Sequence, residues 1–239
     1  MPSNHLYTTY ECSTGATLHV LRTQASNIKL VDYNGNGNIE DNEDFGVNGG
    51  FFSTSTMNPL SIAISDGTVI CNSNNWLGGG VVGYNGSNIF CMTDVQNASS
   101  VTGCNRSGTW AQGGFSMWLG DSDWRAKMLE ETPMPDHYNV KRQRTVLVAD
   151  TTNKIVWLIV VTTNSFTFEG IRDVVKEYMG VIGYTITDTP NGVSRFKGLI
   201  LDGGSSSQMR VKNSGDRVIF KAANENRDLH QCIVLRNQN

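Results

Sequence analysis

Near the C-terminal end of the chain an apolar run stops at a carboxylate, two glycines and three serines: Leu199-Ile200-Leu201-Asp202-Gly203-Gly204-Ser205-Ser206-Ser207. An apolar run closed by such a cluster reads as a buried strand ending in a tight loop. Asp202 then stands at the strand's end, where a lone carboxylate can act as base, nucleophile or electrostatic stabiliser. The glycines after it let a ligand approach the main chain closely. The amides of Gly203, Gly204 and Ser205, with the hydroxyls of Ser205 and Ser206, can converge into an anion-binding nest. The bland alternative is a strand-end turn in which Asp202 bonds its own loop amides.

A second segment repeats the layout: Phe45-Gly46-Val47-Asn48-Gly49-Gly50-Phe51-Phe52 is a short apolar approach, a polar side chain, two glycines and aromatic anchors. The pair resembles the phosphodiester glycosidase family, whose members split a sugar from a sugar–phosphate diester. Between the two motifs, Asn58-Pro59-Leu60-Ser61-Ile62-Ala63-Ile64-Ser65-Asp66-Gly67 is similar to the family's strand and Asp-Gly turn. Arg144-Thr145-Val146-Leu147-Val148-Ala149-Asp150 is similar to its Arg-Thr strand, and a helix-like run precedes the second motif in both.

The resemblance implies a hydrolase of sugar-1-phosphodiester bonds in which Asp202, Asn48 and Arg144 are catalytic. Asn48 would orient substrate hydroxyls or a water, and Arg144 would grip phosphate through two N–H groups. The amides of Gly49, Gly50, Gly203 and Gly204 would surround phosphate oxygens. Read without the resemblance, Lys141-Arg142-Gln143-Arg144 is a solvated basic turn before a strand. A nucleotide-linked sugar or ribose is a variant substrate, and a non-catalytic glycan-binding module of a phage or cell surface is the rival from another class. Two stretches depart from the family's layout, Trp118 to Gln143 and the polar, turn-rich Tyr184 to Phe196. Both are expected to shape substrate access.

Residues 32–43 read Asp-Tyr-Asn-Gly-Asn-Gly-Asn-Ile-Glu-Asp-Asn-Glu, which matches the twelve-residue EF-hand loop at its diagnostic positions. Calcium takes several oxygens at short range, and Gly37 permits the sharp bend between them. Asp32, Asn34, Asn36, Glu43 and the carbonyl of Asn38 are the candidate ligands, with Glu40 acting through water. Asparagines in place of aspartates lower the ligand charge and predict a weaker, structural site. The alternative is a solvated Asn/Gly-rich loop that carries acids by chance.

Candidates for a second carboxylate are Glu169, Asp173, Asp66 and Asp150, each equally readable as a cap or turn residue. His5, His19, His137 and His230 share no spacing. No Gly-x-Ser-x-Gly elbow is present, which disfavours a serine hydrolase. The rings of Phe51, Phe52, Phe115 and Trp118 can stack on a sugar or nucleobase, or fill a core.

These residues must be positioned by strands more than by helices. Charged residues make up only 17% of the chain, and Gly, Asn, Ser and Thr take their place, as in strand-and-loop-rich proteins. Short strands are expected at Tyr7–Tyr10, Thr17–Arg22, Ile28–Val31, Ser61–Ser65, Thr68–Cys71, Gly80–Tyr84 and Ser87–Met92, with Ala111–Trp118 beside the first motif. Thr145–Ala149 and Ile155–Thr162 flank an Asp-Thr-Thr-Asn hairpin turn, and the unbroken apolarity of the second predicts a central strand buried on both faces. Ile171, Val174, Val175 and Tyr178 fall at helical spacing, and one or two further helices are expected around Asp123–Glu131. The expected fold is therefore α+β, a single domain with a mixed, mainly antiparallel sheet and few helices. No basic stripe points to a nucleic-acid duplex, and no apolar run reaches the ~18 residues that span a bilayer. The start, Met1-Pro2-Ser3-Asn4-His5, lacks the basic and apolar regions of a secretory leader. Together with five scattered cysteines and no CxxC pair, it predicts free thiols and a cytoplasmic location.

Overall fold

The apolar run at residues 155–161 is continuous because both faces of that strand are covered. In the computed structural model, which describes residues 5–53, 55–56, 58–74, 79–131, 138–192, 194–223 and 227–238, β11 (Ile155–Phe166) lies inside the larger of two sheets. Its neighbours are β2 (Thr17–Gln24) and β10 (Arg142–Asp150). Outward from these the sheet continues to β1 (His5–Glu11) on one side. On the other side lie β12 (Phe196–Ile200), β9 (Trp110–Ser116), β5 (Ala63–Ser65) and β6 (Thr68–Cys71). β7 (Gly80–Tyr84) joins β9 and carries β8 (Ile89–Met92).

The second sheet has the order β14 (Val218–Ala222), β13 (Gln208–Lys212), β4 (Gly46–Asn48), β15 (Gln231–Leu235), β3 (Ile28–Asp32). Every strand pair in both sheets is antiparallel. The expected strands are present, with boundaries shifted by a few residues. Missing from the sequence reading are β13, β14 and β15, although β13 alternates strictly as Gln-Met-Arg-Val-Lys and β15 carries the apolar run Cys232 to Leu235.

Period-two alternation divides the central strands between two cores. Val146 and Val148 of β10, with Trp157, Ile159 and Val161 of β11, face α2 (Phe168–Val181). Leu147, Ala149, Val156, Leu158 and Val160 face the second sheet, where they meet Val47, Met209, Ile233 and Leu235. The molecule is thus layered helix, sheet, sheet, and it is α+β. The helix forms where its spacing predicts: Ile171, Val174, Val175 and Tyr178 are buried, and each such side chain contributes about 1.5–3 kcal/mol. Thr167 caps it by accepting the Gly170 amide at 3.0 Å, and Gly183, at φ +90°, follows its end. A shorter helix, α1 (Trp124–Glu131), packs on β9. No described helix is long and apolar enough to cross a membrane. All five cysteines are free, and all but Cys91 are buried.

The segment Tyr184 to Phe196 corrects one expectation. β12 pairs with β10 so that Phe196 faces Asp150 and Ile200 faces Val146. The segment therefore lies at the opposite end of β12 from Asp202, about 20 Å away at the rise of an extended strand. It lines a cavity of about 390 Å³ with Tyr184, Thr185, Arg195 and Phe196, and it does not border Asp202. The other departing stretch is divided. Gly120 bonds Asp188 at that far end, whereas Val140 reaches Arg144.

Candidate functional site

The two glycine motifs meet because each follows a strand that ends at the same seam. β4 leaves the second sheet at Asn48, and β12 leaves the first just before Asp202. The Asp202 amide donates to Gly49 O at 3.2 Å, and Asn48 Nδ2 donates to Asp202 O at 2.9 Å. Asn48 Oδ1 accepts from Thr145 Oγ1 at 2.6 Å and from the Gln208 amide at 3.1 Å. The buried Asn48 amide thus ties together β4, β10, the Asp202 turn and the start of β13. Its bonding capacity is spent inside the protein, so Asn48 fixes the position of Asp202 instead of facing a substrate hydroxyl. Thr145, which the sequence marks only as the partner of Arg144, holds this amide in place.

Gly49 and Gly50 are close-packed. A Cβ at Gly49 would lie 2.6 Å from Gln231 Nε2, and one at Gly50 would lie 2.5 Å from the Cβ of Ser61. Gln231 and Gln112, which bond each other, press against both. These two glycines therefore let side chains of the protein approach the main chain.

Asp202 is half-buried. Its Oδ1 accepts the Gly203 amide at 2.9 Å, so the turn bond of the bland reading exists beside whatever else the carboxyl does. Burial raises its pKa above the ordinary carboxylate value; the Ser206 hydroxyl, the Gly203 amide, Arg227 and Arg142 oppose the rise. Ser206 Oγ and Ser207 Oγ are buried without a hydrogen bond of standard geometry. The turn after Asp202 runs through Gly204 at φ +61°, a conformation that favours glycine.

Three guanidinium groups border this turn. Arg144 is 3% exposed, donates from Nε to Phe166 O at 2.8 Å and from Nη2 to Val140 O at 2.6 Å, and lies over the Phe168 ring. Its remaining nitrogen, Nη1, would be 3.6 Å from a Cβ at Gly203. Burial lowers the Arg144 pKa to about 10, with Arg142 adding to the fall and Asp202 opposing it. Arg142 Nη1 would be 3.6 Å from a Cβ at Gly204. Arg227 donates from Nε to Ser205 Oγ at 2.8 Å and covers the Phe52 ring. Arg142 and Arg144 share a strand face two residues apart, and the register of β10 against β11 shifts between them. That i, i+2 spacing was a readable signal for Arg142. Arg227 stands in a segment with no periodicity, and only the fold brings it here.

The other candidates lie elsewhere or have structural partners. Glu169 pairs with Arg125 and Asp66 with Arg236. Asp150 is buried at the far end of β10, accepting the Thr152 and Asn153 amides. Asp173 is exposed on α2. His5 and His19 belong to the β1–β2 hairpin, and burial lowers the pKa of both, that of His19 to about 4. His230 lies 3.2 Å from Asp32 and 6.3 Å from the Phe52 ring; His137 is outside the described residues. Phe115 is core, meeting Phe51 edge-on and Phe168 at a tilt. Trp118 packs against the same core and carries Lys127 on its ring.

The loop at residues 32–43 bends sharply at Gly37, where φ is +79°. Asp32 Oδ1 accepts the Asn34 amide at 2.7 Å, and Asn38 Oδ1 accepts the amides of Glu40 and Asp41. Asn36 donates weakly to Asn34 O at 3.4 Å, and the Glu43 side chain is exposed. Among the described residues no three His, Cys, Asp or Glu side chains gather at metal-binding range. The loop is tied to the seam: the Ile39 amide donates to Gln208 Oε1 at 3.4 Å, and Gln208 Nε2 donates to Arg227 O at 2.7 Å.

The family model for phosphodiester glycosidase matches residues 41–236. The catalytic domain of zebrafish N-acetylglucosamine-1-phosphodiester alpha-N-acetylglucosaminidase, auto-inhibited by its pro-peptide, is similar in fold: TM-score 0.69 at 13% identity, covering 98% of this chain and 82% of that one. A hypothetical protein from Synechocystis is similar at TM-score 0.54 and 10% identity, covering 96% of this chain and 61% of that one. No curated protein matches in sequence.

Proposed function

The chain belongs to the phosphodiester glycosidase family, and from that premise we propose that it hydrolyses the bond between a sugar's anomeric carbon and a phosphate ester. The observation that carries this reading is the convergence of Asp202 with Arg142, Arg144 and Arg227 on one turn. The leaving group is a phosphate monoester, a far weaker base than a sugar alkoxide, so departure needs charge stabilisation more than protonation. The arginines supply that charge. Water adds at the anomeric carbon, the carbon–oxygen bond breaks, and the products are a free sugar and a phosphate monoester. Asp202 stands ready as base, nucleophile or stabiliser of an oxocarbenium-like transition state. A nucleotide-linked sugar or ribose is within this chemistry.

The deciding experiment follows product release from sugar-1-phosphodiesters and nucleotide sugars with wild type and Asp202→Asn. The substitution should abolish turnover by at least about a thousandfold and leave ligand binding within about threefold. Binding without turnover in the wild type would move the reading to a glycan-binding module.

We also propose that the 32–43 loop takes calcium as a structural ion, supported by its residue order and by the bend at Gly37. Calcium at about a hundred times its dissociation constant should raise stability by about 2.7 kcal/mol. Thermal unfolding in calcium and in chelator measures this. Glu43→Gln should remove the difference, and an identical Tm in both buffers for the wild type ends the idea.

A further inference from the structure

Four arginines elsewhere form salt bridges, Arg125 with Glu169, Arg172 with Asp188, Arg195 with Asp150 and Arg236 with Asp66, while Arg22, Arg106, Arg210 and Arg217 stand apart from one another in the sequence without one among the described residues. Around the Asp202 turn three arginines are instead gathered in one place. Arg142, Arg144 and Arg227 form no salt bridge among the described residues, and Asp202 is the carboxylate their charges act on. Among the described residues, three guanidinium groups thus surround one carboxylate, with Arg144 buried, Arg227 half-buried and Arg142 exposed. The buried Arg144 charge is the costly one, and an anionic ligand at the turn would offset that cost.

The arginines are also arranged in line. Arg144 Nη1 borders Gly203, Arg142 Nη1 borders Gly204, and Arg227 Nε bonds Ser205, so three successive residues each carry one guanidinium. Because the three contacts fall on consecutive residues, the guanidinium groups form a short rail along the turn. A phosphodiester has one charge and one phosphorus centre, and Arg144 with one neighbour would saturate it. The rail fits two adjacent phosphates carrying two charges, each open to bonding by a planar fork.

We infer that the preferred substrate is a glycosyl diphosphate, a sugar joined through its anomeric oxygen to a diphosphate. This rests on the reading of Asp202 and its turn as a sugar-phosphate hydrolase site. The reaction balances as before: water adds at the anomeric carbon, and the diphosphate monoester leaves with the bridging oxygen. Arg144 holds the phosphate nearest the sugar, beside Asp202, and Arg142 and Arg227 hold the distal one. A nucleoside and a polyprenyl chain are two sources of the same diphosphate chemistry.

The test uses one sugar in one anomeric form as its uridine diphosphate, its short-chain polyprenyl diphosphate and its methyl phosphodiester. At fixed ionic strength, kcat/KM should favour at least one diphosphate over the diester by about thirtyfold. Preference for the uridine compound alone assigns the nucleotide source, for the polyprenyl compound alone the lipid source, and for both the shared diphosphate. Arg142→Gln, at an exposed residue that leaves the fold intact, should cut the diphosphate-to-diester ratio about tenfold, the effect of one charge-assisted contact. Equal or reversed preference in the wild type overturns the inference while leaving the hydrolase reading standing. If no compound is cleaved, the hydrolase reading fails, and binding still decides this one. Pyrophosphate should then bind at least about tenfold tighter than methyl phosphate, with Arg142→Gln removing the difference, and equal affinities overturn the inference.

Discussion

A single buried amide shows how this chain turns sequence into a positioned carboxylate. Asn48 accepts two hydrogen bonds and returns one to the backbone of Asp202. Truncating it leaves the Thr145 hydroxyl, the Gln208 amide and the Asp202 carbonyl without that partner, and a buried group left unmade costs about 1–3 kcal/mol. Asn48→Ala should therefore destabilise the fold by about 3 kcal/mol and lower turnover at least about tenfold, because the Asp202 turn loses its tether. Chemical denaturation and steady-state kinetics on the same preparation check this. An unchanged midpoint would show that the tether is not what holds the turn. In the sequence Asn48 and Asp202 carry the same mark, a polar residue before two glycines. Their roles separate only when hydrogen bonds are counted.

At the scale of elements, α1 docks on β9 through a carboxylate. Glu131, 8% exposed at the helix's last residue, accepts the Ser116 amide at 2.8 Å. Burial lifts its pKa from 4.5 to about 7, against the pull of the Ser116 amide and hydroxyl. The folded protein thus holds this proton more tightly than the unfolded chain does. The stability it confers is complete below pH 4.5 and is lost as pH rises through about 7, by roughly 3 kcal/mol in all. Glu131→Gln cannot ionise, so its stability should stay level across that window and exceed wild type at about pH 8. Denaturant midpoints at several pH values test this, and parallel profiles for the two proteins would count against it. The sequence places a helix around Glu131 but gives no sign that its carboxyl is buried, since a Glu at a helix end is ordinarily solvated.

Across the whole molecule, the two sheets share the core on which the site rests. Leu201 is fully buried between them, one residue before Asp202, and its amide donates to Thr145 O at 2.9 Å. Leu201→Ala should cost about 2–5 kcal/mol through lost burial and a residual cavity. It should also weaken turnover in the fraction that remains folded, because the cavity opens directly beneath the turn. Thermal and denaturant unfolding measure the first effect and active-site titration the second. A loss under about 1 kcal/mol would mean that the sheets close over the gap.

Local pattern was enough for what depends on local pattern. The alternating strands of the larger sheet, the hairpin at Asp150, the helix over Ile171 to Tyr178 and the two glycine motifs were all legible, because alternation, helical spacing and turn residues act within a few positions of themselves. The family followed from the motifs. The fold alone decided what depends on distant segments meeting. It brought Arg227 beside Ser205, set Arg142 at Gly204, spent the Asn48 amide on internal bonds and moved Tyr184 to Phe196 to the opposite end of β12. Strand order and register are set by side chains remote in sequence, so no single segment encodes them. The gathering of guanidinium groups at this turn exists only once three arginines from two parts of the chain share one place.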